Sequence, residues 1–90
     1  MSEELITVAE LEKFIYEFEE VRVIFRTWSA VQVKKYPYKN QIGDQNSIYV
    51  LKERLENSYP SIPFVIVDGS GIIEHLRSKR IGHIRQQYHQ

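Results

Sequence analysis

Apolar residues recur at Leu11, Phe14, Ile15 and Phe18, the three-and-four spacing of one helix face. Thr7 followed by Glu10 is a capping-box pair, in which a hydroxyl and a carboxylate satisfy each other's backbone amides, so the pattern predicts an amphipathic helix over 8–19. The stretch VRVIFRT at 21–27 alternates around Val21, Val23 and Phe25 and is rich in β-branched residues, which predicts a strand. In WSAVQVKKYPYKN, Val31, Val33 and Tyr36 fit either period and Pro37 interrupts whichever element they form; the reading is a turn at Trp28 and Ser29, then a short helix that Ser29 caps. GDQNS at 43–47 carries turn and N-cap residues, and Ile48, Leu51 and Leu55 after it share one face of a helix over 48–59.

The segment SIPFVIVDGSGII at 61–73 sets Pro63 directly against a four-residue apolar run. Proline is tolerated only at the first residue, the edge or a bulge of a strand, so it shapes a surface beside the sheet. FVIVD suits a strand covered on both faces, DGSG a turn, and IIEHL a short strand returning antiparallel as a hairpin. From Ser78 to Tyr88 the chain is helical in pattern, with Ile81, Ile84 and Tyr88 on one stripe and Gly82 weakening it. With a short or lost strand near 40–43, this order predicts an α/β sandwich, because a buried apolar strand needs cover on two faces.

Ninety residues make one domain, with a core large enough to fold without metal or disulfide staples. A hydrophobic content of 42% and a mean hydropathy of −0.41 fit an ordinary globule. No apolar run approaches the roughly 20 residues needed to cross a bilayer, and the acidic start MSEELITVAE lacks a signal-peptide pattern, so no membrane contact and a cytoplasmic home are expected. Cysteine is absent, which removes disulfides, thiolate nucleophiles and cysteine metal sites. The charge is balanced but polarised: residues 1–20 hold seven glutamates against Lys13, whereas 75–90 hold Arg77, Lys79, Arg80 and Arg85 with no acid. Such a basic helix attracts nucleic acid or an acidic partner, although a solvated helix face needs no ligand at all.

A first strand, a turn carrying Trp28 that leads into a helix, a helix opened by GDQN, then IPFVIVDGSGII and a terminal helix resemble the thioredoxin and glutaredoxin family in order and spacing over residues 21–90. The resemblance implies a thioredoxin-like three-layer sandwich, a central mixed sheet flanked by helices. Its parts would be an N-terminal helix over 1–20, a βα(β)α half over 21–59 and a ββα half over 60–90. In that family an Ile-Pro or Val-Pro pair precedes the third strand, the proline is cis and its loop lies against the active-site turn. Ile62 and Pro63 would take those positions, with Ile62 turned outward as an edge for an extended partner.

The family's chemistry is thiol–disulfide exchange by two cysteines at the start of the helix after the first strand, where the helix N-terminus lowers the attacking thiol's pKa. Aligned by its tryptophan, this chain offers Ser29 and Gln32; shifted by one, Ala30 and Val33. A serine hydroxyl is not activated there and forms no mixed disulfide. The implied function is a non-catalytic binding or regulatory adaptor, a small accessory protein of the phage or plasmid type, with no cofactor. A partner protein's segment would dock at Trp28, Ser29, Gln32, Tyr59, Ile62 and Pro63, and a homodimer through the 21–27 edge or the groove is compatible with the pattern. One alternative is an oxidoreductase of this family in a cysteine-substituted form, with serine at 29.

The other alternative is a nucleic-acid accessory protein. Tyr36 and Tyr38, flanked by Lys34, Lys35 and Lys39, form a basic-aromatic patch able to stack on bases or hold a protein loop, and Arg77, Lys79, Arg80 and Arg85 would add phosphate contacts. His75, His83 and His89 are spaced by eight and six, which does not place them on one helical face, so no metal site is expected. Phe14, Phe18, Phe25 and Phe64 lie on apolar faces and are expected in the core, and the carboxylates of the first helix are expected on its wet face.

Overall fold

In the computed structural model, which describes residues 4–71, 73 and 79–88, the hydrophobic periods become elements with close to the expected bounds. Strand β1 (Leu5–Thr7) runs straight into helix α1 (Val8–Glu19), followed by β2 (Arg22–Phe25), β3 (Gln32–Lys34), α2 (Ile48–Ser58), β4 (Phe64–Val67) and α3 (Ile81–Gln87). The capping box is formed: the Thr7 hydroxyl accepts from the Glu10 amide at 3.2 Å, and the Glu10 carboxylate accepts from the Thr7 amide at 3.1 Å. That pairing also holds the Glu10 carboxyl below its ordinary pKa.

The described residues thus make a small α/β fold with three helices, but their strands do not make one mixed sheet. They form two antiparallel pairs, β1 with β3 and β2 with β4. The register Arg22↔Val67 to Phe25↔Phe64 puts Val23, Phe25 and Ile66 into the core with Leu11 and Ile15 of α1, Leu51 and Leu55 of α2, and Ile81 and Ile84 of α3. The Tyr88 hydroxyl accepts from the Arg22 amide at 3.0 Å and donates to the Val67 carbonyl, bridging the last rung of that ladder. An isolated bridge, Val67↔Ile73, joins the end of β4 to the start of the expected return strand. The rest of that strand, Ser78, Arg77, His75 and His89 lie outside the described residues.

Two expectations fail between residues 26 and 46. No helix follows Trp28; Gln32–Lys34 form β3, because Val31 and Val33 alternate with exposed positions and find a partner in Leu5–Thr7, a strand too short for periodicity to register. Pro37 then biases Tyr36 away from helical geometry. No strand forms near 40–43 either. The Ser29 side chain therefore caps nothing. Instead its carbonyl accepts from the Ala9 amide at 3.1 Å and the Val31 carbonyl from the Val8 amide at 2.9 Å, which satisfies open donors at the start of α1. Among the described residues no peptide bond is cis, so the expected cis bond at Ile62–Pro63 is corrected to trans, and no helix is long and apolar enough to cross a membrane.

Gly82 is explained by close approach. Its amide donates to the Asp44 carbonyl at 3.0 Å, and a Cβ there would stand 2.8 Å from the Asp44 Cβ. Helix propensity alone favours alanine by about 1 kcal/mol, but the packing conflict of an added methyl costs roughly 1–3 kcal/mol. Gly82→Ala is expected to lower stability in urea denaturation; a more stable variant would show that the contact with Asp44 is slack.

Candidate functional site

Of the residues expected to meet a partner, Tyr59, Ile62 and Pro63 line one groove, whereas Ser29 and Gln32 lie against the start of α1 and β1. The Arg26 amide donates to the Pro63 carbonyl at 2.8 Å, so the chain leaving β2 toward Trp28 and the chain entering β4 are joined side by side. Trp28 is 82% exposed and, with Ser29 and Gln32, stands in solvent. Its turn is nonetheless held, since the Trp28 carbonyl accepts from the Val31 amide at 3.1 Å. Lys52 and Glu56 of α2 with Tyr59, Ile62, Pro63 and Phe64 wall an open groove of about 620 Å³ on the Pro63 side of the Arg26–Pro63 link. Tyr59 is buried and donates its hydroxyl to the Lys34 carbonyl at 3.0 Å. The Ile62 amide donates to the Tyr59 carbonyl at 3.2 Å, so the expected backbone pairing at Ile62 lacks its donor and contact there falls to side chains.

The residues of the expected nucleic-acid set stand in different environments, and Arg77 lies outside the described residues. Arg85 is buried: its Nε donates to the Glu19 carbonyl at 2.8 Å and its Nη1 to Asp44 Oδ1 at 2.6 Å. Tyr36 is also buried, its hydroxyl on Glu19 Oε2 at 2.5 Å, and the Arg54 guanidinium lies 4.4 Å above the Tyr38 ring. Lys35 pairs with Glu4 at 2.9 Å. Lys34 is half-buried in β3, and Lys79 and Arg80 lie at the start of α3, on other elements of the fold. In the oxidoreductase reading Ser29 would open a helix; it stands instead in a turn before β3, with its carbonyl on the Ala9 amide of α1.

Sequence reasoning missed the most constrained polar group. Glu19, placed on the wet face, has no exposed surface. Its Oε2 accepts from Tyr36 and from Arg54 Nη1 at 2.8 Å, and its Oε1 accepts from the Ile42 amide at 2.9 Å with Arg85 Nη2 at 3.9 Å. Buried and bonded from three other parts of the chain, this carboxylate is a joint between elements. Phe14 departs in the opposite sense: expected in the core, it is 42% exposed, while Phe18 and Phe64 are half-buried and Phe25 is buried.

Burial is the main cause that holds the Tyr36 phenol well above its ordinary pKa, the Glu19 hydrogen bond and charge adding to it and Arg54 opposing. Tyr59 is raised by burial and by Tyr38, and Tyr88 by burial against the opposing hydrogen bond from Arg22. No protein-family model, curated protein or solved structure matches the chain.

Two outcomes are expected. Glu19→Gln keeps the size but removes the charge that faces Arg54 and Arg85, and should lose roughly 3 kcal/mol in urea denaturation, whereas Glu17→Gln on the exposed side of α1 should change stability by less than about 0.5 kcal/mol. The three raised tyrosines keep their protons in the fold beyond the point, near pH 10, where an unfolded chain loses them. Stability linked to those protons is complete below about pH 10 and is lost as pH rises past it. Tyrosinate absorbance from these residues should therefore rise together with loss of the circular dichroism signal; a rise that is complete while the fold persists would contradict the packing described.

Proposed function

We propose that this chain is a non-catalytic protein-binding adaptor that takes an extended apolar segment of a partner protein at the end of the β2–β4 pair. The observation that carries the reading is the exposure of Trp28, the only tryptophan, on a held turn that follows Arg26, whose amide bonds the Pro63 carbonyl. Tryptophan on a fixed backbone is a strong interface anchor, because it brings a large apolar area with little conformational entropy to lose. From the thioredoxin-type arrangement the proposal keeps one relation only: a strand antiparallel to a proline-led strand, with the residue after the first bonded to the proline of the second. The mechanism differs from backbone pairing. Trp28 enters a pocket of the partner, and the partner's side chains lie over Ile62, Pro63 and Phe64 in their groove.

Affinity capture with the chain, alongside Trp28→Ala and Pro63→Ala, tests this. Trp28→Ala removes nothing from the core, so its melting temperature should match the native chain, while partner affinity falls tenfold or more, as for a hot-spot residue worth about 2 kcal/mol. The emission of Trp28 should also shift to shorter wavelength as the partner covers it. Equal retention by the native chain and Trp28→Ala would overturn the proposal.

A further inference from the structure

A second surface, sharing no lining residue with the groove beside Pro63, lies between α1 and the segment after β3. Phe14 and Phe18 stack at 5.7 Å with 13° between their planes, Tyr36 meets them at 6.1 and 5.9 Å, and Tyr38 continues the row 5.2 Å from Tyr36. Above this aromatic floor opens a hollow of about 610 Å³ whose rim carries Glu4, Lys35, Pro37 and Lys39. A smaller hollow of about 300 Å³, which adds Ile6 and Glu10, adjoins it through Phe14, Lys35 and Tyr36. The floor is rigid, because Tyr36 is fixed by Glu19 and Tyr38 by Arg54.

We propose that this surface binds an acidic segment of a protein, its carboxylates on Lys35 and Lys39 and its apolar side chains against the partly covered rings. Charge complementarity selects that occupant. Lys35 and Lys39 stand on the rim of the hollow, and the Glu4 carboxylate already rests on Lys35 with both side chains largely in solvent, Lys35 at 52% and Glu4 at 77% exposure. An exposed pair of this kind contributes little to stability, so an incoming carboxylate can replace Glu4 at small cost, and Glu4 marks the place where such a carboxylate fits. Nucleic acid suits the surface less well. Base stacking uses ring faces, and here Phe14 and Phe18 face each other while Tyr38 is covered by Arg54. The partly covered rings and flanking ammonium groups suit aliphatic or proline side chains flanked by carboxylates.

The test is an amide chemical-shift titration of the isotope-labelled chain, at low ionic strength, with a synthetic Glu-Glu-Pro-Leu-Glu-Glu peptide, the same peptide with glutamine for glutamate, and an oligothymidylate. The acidic peptide should perturb Phe14, Phe18, Lys35, Tyr38 and Lys39. Its affinity should fall roughly three- to tenfold for each carboxylate–lysine contact removed, in the glutamine peptide, in Lys39→Glu or with added salt. Trp28→Ala should bind this peptide as the native chain does, which separates the surface from the groove beside Pro63. Lys39 is exposed and outside the core, so Lys39→Glu keeps the test valid even where Phe14→Ser, the stronger probe of the aromatic floor, loses its fold. Absence of perturbation at millimolar peptide, equal binding of the glutamine peptide, preference for the oligonucleotide, or perturbations confined to 60–64 would each overturn the proposal.

Discussion

The carboxylate of Glu19 is the point on which the arrangement of this chain depends. A charged group taken wholly out of water carries a desolvation cost of several kcal/mol, offset only if donors of good geometry surround it. Here the donors come from three separate parts of the chain: Tyr36 and Ile42 from the irregular segment after β3, Arg54 from α2 and Arg85 from α3. The end of α1 is completed by the same neighbours, because Gln41 donates to the Phe18 carbonyl at 2.8 Å and Arg85 to that of Glu19. These side chains satisfy the carbonyls that a helix leaves open at its C-terminus and place cations where the helix dipole favours them. The gain is specificity of docking more than net stability, since a buried ion pair seldom outperforms an apolar replacement of the same shape.

This joint explains why residues 35–46, which have no regular structure, can wall one face of the domain. Their backbone is held by side-chain bonds: Arg54 donates to the Asn40 carbonyl at 2.8 Å, Glu19 accepts from Ile42, and Asp44 receives Arg85 and meets Gly82 closely. A segment fixed at so many points lines the core with Tyr36 and Ile42 as a strand would. It also carries Pro37, Tyr38 and Lys39 to the surface in one fixed arrangement, so the aromatic floor beside Phe14 inherits its rigidity from a carboxylate buried behind it.

Elements whose pattern is local were legible in the sequence. The capping box and the spacing of Leu11 and Ile15 located α1, the face of Ile48, Leu51 and Leu55 located α2, and the apolar run after Pro63 located β4. The β1–β3 pair was not, because each strand is three residues long and each is a strand only by virtue of the other, so no window contains the signal. The same limit applied to the polar joint, although a trace of it is present. Glu19 continues the stripe of Leu11 and Ile15 at steps of four, and Arg85 stands four residues after Ile81 on the buried side of α3. Opposite charges that fall on the apolar faces of two helices mark a pair that folding must bring together. Phe14 shows the complementary limit. A helical period gives the direction of a side chain, but the width of the covered stripe is set by neighbours that only the tertiary structure supplies.

The two exposed aromatic features are held by different means, and the difference bears on what each can do. The Trp28 turn is fixed by backbone bonds to the first turn of α1, through the carbonyls of Ser29 and Val31, while the indole itself has no cover. Such a group projects, and association through it needs a cavity on the other molecule. The floor of Phe14, Phe18, Tyr36 and Tyr38 is fixed by side-chain packing and is concave, so it receives. Both places are held by bonds within the chain, which would lower the entropic cost of association. A projecting group and a receiving hollow, drawn from different elements and sharing no residue, would let the two proposed segments be engaged independently of each other.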